Sequence, residues 1–189
     1  YARILVPGLA YLLAAGRPHF IDAAYFAVVL MFVSLGVLWL ARLAELHGHP
    51  AAWGLLFLVL PATPISVDRM TVDVALAALW CGLAVLAVGQ ASRPVRILVI
   101  LALAPLVRET GLAMVAAYCL WMISRSAYGR TALAAAATLP FVAWSLYVWD
   151  KFPPYHTGWL VMSPLRGLLA AATNLTSSAW ATTVTGLAA

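Results

Sequence analysis

The sequence predicts an all-α fold, a polytopic transmembrane helical bundle with short interfacial or re-entrant helices. Three observations carry this. The 189 residues are 65% hydrophobic and only 9% charged, with mean hydropathy +0.99, whereas a soluble domain is about a quarter charged. Apolar runs of roughly 15–23 residues recur, the length scale of a helix crossing a ~30 Å hydrocarbon core. The breaks between runs hold Gly, Pro and Arg, which end helices and mark membrane surfaces. No hydrophilic block is long enough for a separate soluble domain. Residues 1–189 therefore read as one transmembrane domain with a weakly defined tail from about residue 163. The net charge of +5 comes mostly from arginines beside apolar runs. That is a topology signal. The basic stripe with interleaved aromatics that nucleic acid needs is missing.

The elements follow in order. Tyr1 to Ala15 is apolar but, at about 22 Å as a helix, too short to span, so it reads as interfacial or re-entrant. Gly16-Arg17-Pro18-His19 is a turn. Ile21 to Leu43 is a transmembrane helix ending in Arg42 and Glu45, followed by the loop His47-Gly48-His49-Pro50. Ala51 to Ile65 is a second span, interrupted by Pro61 and Pro64. Ser66 to Met70 connects it to a third, Thr71 to Gly89, with Asp73 in its first turn. Val95 to Ser124 would be about 45 Å long as one helix, with two charges near its centre. As a hairpin it gives arms of about 20 Å meeting at Arg108-Glu109-Thr110-Gly111. The hairpin is preferred, because Arg93, Arg96, Arg125 and Arg130 then lie on one side. Thr131 to Trp149 is a further span, and Asp150 to His156 a polar, aromatic loop. Cys81 and Cys119 fall in apolar runs and read as small buried residues with no disulfide or metal spacing. Asn174-Leu175-Thr176 is taken as a chance glycosylation sequon. With no initiator Met and no signal-peptide pattern, the chain reads as a fragment whose upstream part is missing.

Arg42, Arg93, Arg96, Arg125 and Arg130 share one side in this topology, which the positive-inside rule makes cytoplasmic. Asp68, Arg69, Asp73, Arg108, Glu109, Asp150, Lys151 and His156 then share the other, with Glu45 the carboxylate left on the cytoplasmic side. The expected result is a polar cavity at the extracytoplasmic face. Each ionisable residue within membrane-spanning sequence costs roughly 2.5–3.5 kcal/mol on insertion scales and is a functional candidate. Asp68 and Asp73 can bind a substrate hydroxyl or a divalent cation, with Arg69 on a phosphate, which its fork fits. The bland alternative is that Asp68 caps a helix and Arg69 snorkels. Arg108 and Glu109, as neighbours in sequence, point different ways and need separate partners. Asp68 or Asp73 suits Arg108; a substrate or Arg69 suits Glu109. The bland alternative is a structural ion pair closing the hairpin. Lys151, Tyr155 and His156 fit an interfacial belt with Trp149, Phe152 and Trp159. His47 and His49 are too few for a metal site, and no metal centre is assigned.

Three stretches resemble polytopic glycosyltransferases of the C superfamily, the bacterial mannosyl- and arabinosyl-type enzymes that use polyprenyl-phosphate sugars. They are Tyr1-Ala2-Arg3-Ile4-Leu5-Val6-Pro7, Asp68-Arg69-Met70-Thr71-Val72-Asp73 and Leu106-Val107-Arg108-Glu109-Thr110-Gly111-Leu112. The resemblance implies a lipid-linked sugar donor, a glycan or lipid acceptor, and transfer at the extracytoplasmic face of the bacterial inner membrane. It implies phosphate contacts from Arg3, Arg69 and Arg108 and substrate-hydroxyl or cation contacts from Asp68, Asp73 and Glu109. The base expected for that family lies in a first external loop, which would precede Tyr1, so no catalytic base is assigned and the piece alone is expected to lack one. Two other functions compete: a transporter or flippase, which also uses intramembrane charges and broken helices, and a non-catalytic membrane assembly subunit.

Overall fold

The computed structural model describes residues 4–69, 71–89 and 94–151. Among them every regular element is helical: α1 (Leu5–Leu13), α2 (Ile21–Leu46), α3 (Leu56–Val59), α4 (Ala62–Arg69), α5 (Asp73–Val88), α6 (Pro94–Val107), α7 (Gly111–Ser124), α8 (Tyr128–Ala136) and α9 (Leu139–Lys151). Short 3₁₀ turns at Pro18–Phe20 and Ala51–Leu55 lead into α2 and α3. The chain divides into two compact units, Tyr1–Val148 and Trp149–Ala189, and the helix packing lies within the first.

Helix α2 is the centre of that unit. It packs against α1, α5 and the 51–55 turn, while α5, α6, α7 and α8 pack in sequence beside it. Small residues let the backbones approach. A Cβ on Gly36 would lie 2.2 Å from the Phe57 ring, and one on Gly54 would lie 2.5 Å from the Val37 carbonyl oxygen. The Trp39 ring fills the equivalent space over Gly82 of α5. The buried core is correspondingly fine-grained, with Val6, Ala10, Val28, Phe57, Ala78, Leu101, Ala104 and Met114 at its heart. Helix α2 ends where Gly48 takes φ +76°, so that the Gly48 and His49 amides can reach back to the Glu45 and Ala44 carbonyls.

The prolines explain the largest departure from the expected layout. In place of one span over 51–65 there is a 3₁₀ turn, a four-residue α3 and a separate α4. Pro61 drives Leu60 to an extended ψ of 134°, because the proline ring clashes with a helical residue before it. Pro61 also has no N–H for the Phe57 carbonyl one turn back. The Thr63 hydroxyl supplies the missing donor, at 2.7 Å from that oxygen, and the Thr63 amide bonds the Leu60 carbonyl at 2.9 Å. Thr63 is 5% exposed, so its hydroxyl has no water to fall back on. Thr63→Val should cost about 1–2 kcal/mol, read as a lower melting temperature in detergent. Thr63→Ser should lose much less, and equal losses in the two variants would reject the hydroxyl's role.

Two helical stretches are long and apolar enough to cross a membrane, Pro18–Leu46 and Tyr128–Val148. Helices α5, α6 and α7 hold 16, 14 and 14 residues, about 21–24 Å at 1.5 Å per residue. Helices α6 and α7 match the ~20 Å arms expected of the hairpin, and all three are shorter than a ~30 Å hydrocarbon core. The expected span over 131–149 coincides with the second of the two long stretches, in which α8 and α9 continue one another through a turn at Ala137 and Thr138. Large apolar side chains cover the outside: Leu38, Leu133, Leu139 and Leu146 are each more than half exposed.

Candidate functional site

The 95–124 stretch folds as two helices with residues 108–110 between them. Pro105 in the last turn of α6 has no N–H to offer the Leu101 carbonyl, which weakens the helix near its end. The Arg108 amide still reaches the Ala104 carbonyl at 3.2 Å, and the Gly111, Leu112 and Ala113 amides then bond the Arg108, Glu109 and Thr110 carbonyls at 2.8, 3.1 and 3.1 Å. These four bonds turn the chain and start α7. Gly111 is the residue the turn requires. A Cβ there would lie 2.3 Å from the carbonyl carbon and oxygen of Ala104 and 2.6 Å from the Pro105 nitrogen.

The other half of the site is the start of α5. Its organiser is Ser66, wholly buried on α4. The Ser66 Oγ accepts the Val74 amide at 3.1 Å and shares a hydrogen bond with Thr71 Oγ1 at 3.0 Å, while its carbonyl accepts the Thr71 amide at 3.2 Å. Ser66 thus caps α5 from eight residues upstream, satisfying one of the amides a helix start leaves open. Asp73 becomes the first residue of α5, where the helix dipole favours a carboxylate. Ser66→Ala should destabilise by about 1–2 kcal/mol and speed hydrogen exchange at the Val74 amide. An unchanged exchange rate there would remove Ser66 from this role.

The two halves meet in an ion pair. Arg108 Nη1 donates to Asp73 Oδ1. The two side chains are 32% and 35% exposed, so the pair lies at the boundary of the bundle. Arg108 Nε, by contrast, is buried with no hydrogen-bond partner among the described residues. The N-terminal segment is tied to the same place, since the Ile4 amide bonds the Leu106 carbonyl at 3.1 Å.

Of the residues expected at the site, Asp73 and Arg108 are brought into contact. Glu109 is exposed at the tip of the α6–α7 turn, and Asp68 is exposed on α4. Arg69 is the last residue of α4, and Arg3, one residue before Ile4, lies outside the described residues, as do Tyr155, His156 and the sequon at 174–176. Lys151 pairs with its neighbour Asp150 at 3.1 Å on the last turn of α9, where a loop is expected from the sequence. The cap on α5 is supplied by Ser66. Among the described residues no group of three His, Cys, Asp or Glu side chains could hold a metal ion. His47 Nδ1 bonds the Leu43 carbonyl at 2.9 Å and His49 stacks on Trp53, so both belong to the end of α2. Cys81 and Cys119 are free thiols and half-buried rather than fully buried, with Cys119 Sγ donating to the Thr131 carbonyl at 3.8 Å. Sequence reasoning missed Ser66 because its partner is eight residues away, beyond any local capping pattern. It also passed over Asp22, exposed in the first turn of α2, whose signal was its place at a helix start.

No protein family model, curated protein or solved structure matches the chain.

Proposed function

We propose that the chain is a membrane glycosyltransferase, or the donor-phosphate part of one, moving a sugar from a polyprenyl-phosphate donor to a glycan or lipid acceptor at the extracytoplasmic face of a bacterial inner membrane. The observation that carries this reading is Arg108. Its guanidinium is held at the end of the bundle by the Asp73 carboxylate, stays a third exposed, and keeps a buried Nε without an acceptor among the described residues. A phosphate oxygen is the complementary acceptor, and arginine's planar fork binds it while Asp73 fixes the orientation. In sugar transfer from such a donor the phosphate is the leaving group, so a positioned cation stabilises charge as it develops. A base on the acceptor hydroxyl is also required, and no residue of the site is assigned to it. The apolar exterior of α2, α8 and α9 suits a polytopic bundle in lipid, because exposed apolar area on this scale is not tolerated in water without a partner.

The same ion pair favours a second reading. Asp73 already balances Arg108, so the pair can be a clamp that joins α5 to the α6–α7 turn in a non-catalytic subunit. The test is transfer from mannosyl- and arabinosyl-phosphopolyprenol by membranes containing the chain, with Arg108→Gln and Asp73→Asn beside the parent. The transferase reading expects Arg108→Gln to lower transfer by about 10²–10³-fold. Full transfer by a folded Arg108→Gln protein, or no binding of either donor by the parent, rejects it.

A further inference from the structure

A groove of about 520 Å³ runs along one side of the bundle between α1, α2, α5 and α6. Its walls include Leu5, Phe32, Trp39, Leu79 and Leu103, and one charged residue, Arg96, stands among its lining residues. Arg96 lies in the first turn of α6 and is exposed, with no acidic partner among the described residues. The lining on α6 begins at Val95 and ends at Leu103, about 12 Å along the helix. That is close to the depth of one leaflet of hydrocarbon, about half of the ~30 Å core. The groove therefore has an apolar trough one leaflet deep and a cation at one end. A smaller apolar cavity of about 200 Å³ between α5 and α7, lined by Trp80, Leu83 and Trp121, has no charged lining residue, and the cavity beside Arg130, at about 40 Å³, is too small for a hydrocarbon chain, so the Arg96 groove combines size and charge as neither of these does.

We propose that this groove binds one acyl chain of an anionic glycerophospholipid whose headgroup phosphate sits on Arg96. Trough and charge select for different halves of the same molecule. The walls exclude water and reward a hydrocarbon chain, and an unpaired arginine at a membrane surface attracts an anionic headgroup. The positive-inside pattern puts Arg96 on the cytoplasmic side, at the opposite end of α6 from Arg108, so this lipid is distinct from the sugar donor. The inference shares with the proposed function only the embedding of the bundle in a membrane and does not depend on sugar transfer.

The test uses the purified full chain in detergent, titrated with phosphatidylglycerol and with phosphatidylcholine of the same chain length, and read by native mass spectrometry and thermal shift. Phosphatidylglycerol should bind preferentially and raise the melting temperature, and glycerol phosphate alone should not. Arg96→Gln, a surface change that leaves the fold intact, should weaken phosphatidylglycerol binding about tenfold and abolish the preference over phosphatidylcholine. Val99→Trp, at an exposed lining position, should obstruct the trough and weaken binding of both lipids, with folding checked by circular dichroism. Equal binding of the two lipids by the parent, parent-like preference in Arg96→Gln, or displacement of phosphatidylglycerol by polyprenyl phosphate would each overturn the proposal.

Discussion

Gly111→Ala should force α6 and α7 apart at their junction and cost about 3 kcal/mol or more. The new methyl would stand 2.3 Å from the backbone carbonyl of Ala104 and 2.6 Å from the Pro105 nitrogen. These are main-chain atoms, so no rotamer change can relieve the clash. Ala104 is wholly buried, and the Arg108 amide bonds its carbonyl, so any shift there also moves the residue that carries the ion pair. Gly129 in α8 is the control, since a Cβ there meets nothing within 4 Å. Gly129→Ala should be neutral or slightly stabilising, because alanine is the better helix former. The check is melting temperature in detergent for both variants, together with cross-linking of a cysteine pair across α6 and α7. A Gly111→Ala protein with parent-like stability and cross-linking would mean that the turn is looser than its geometry.

The α6–α7 turn was legible in the sequence because two arguments agreed there. A thirty-residue helix is too long for the bilayer, and two adjacent charges resist burial at its centre. The need of Arg108 for a separate partner was legible for the same reason, and Asp73 was one of the two residues named for it. What was not legible had non-local causes. Pro61 and Pro64 were visible as interruptions of the 51–65 run. That the run would become three short helices depends on Thr63 replacing a missing amide, and on Gly36 and Gly54 letting 54–57 settle onto α2. Ser66 capping α5 joins residues whose only link is the fold. Hydropathy gave the ends of α6 and α7 closely, at Val107 and Ser124, whereas α5 starts two residues later than its apolar run, at Asp73, because the Ser66 cap sets where its hydrogen bonding begins.

The Asp73–Arg108 pair can be asked separately about stability and about chemistry. Arg108→Gln leaves the Asp73 carboxylate without its cation, and Asp73→Asn leaves a guanidinium whose Nε is already orphaned. At about one-third exposure the pair is neither a surface bridge, worth under ~1 kcal/mol, nor a fully buried one, worth ~3–5 kcal/mol when broken. Each single substitution should therefore cost about 1–2 kcal/mol. The double variant, Asp73→Asn with Arg108→Gln, replaces two charges by two amides that can bond each other. It should recover about 1 kcal/mol relative to the sum of the singles. A clamp needs only that recovery, so whatever activity or assembly depends on the bundle should return with it. A phosphate site needs the positive charge itself, and transfer should then stay as low in the double variant as in Arg108→Gln. Melting temperatures and transfer rates on the same four proteins give both answers. Stability and transfer recovering together would leave Arg108 a structural residue and withdraw its role at the donor phosphate.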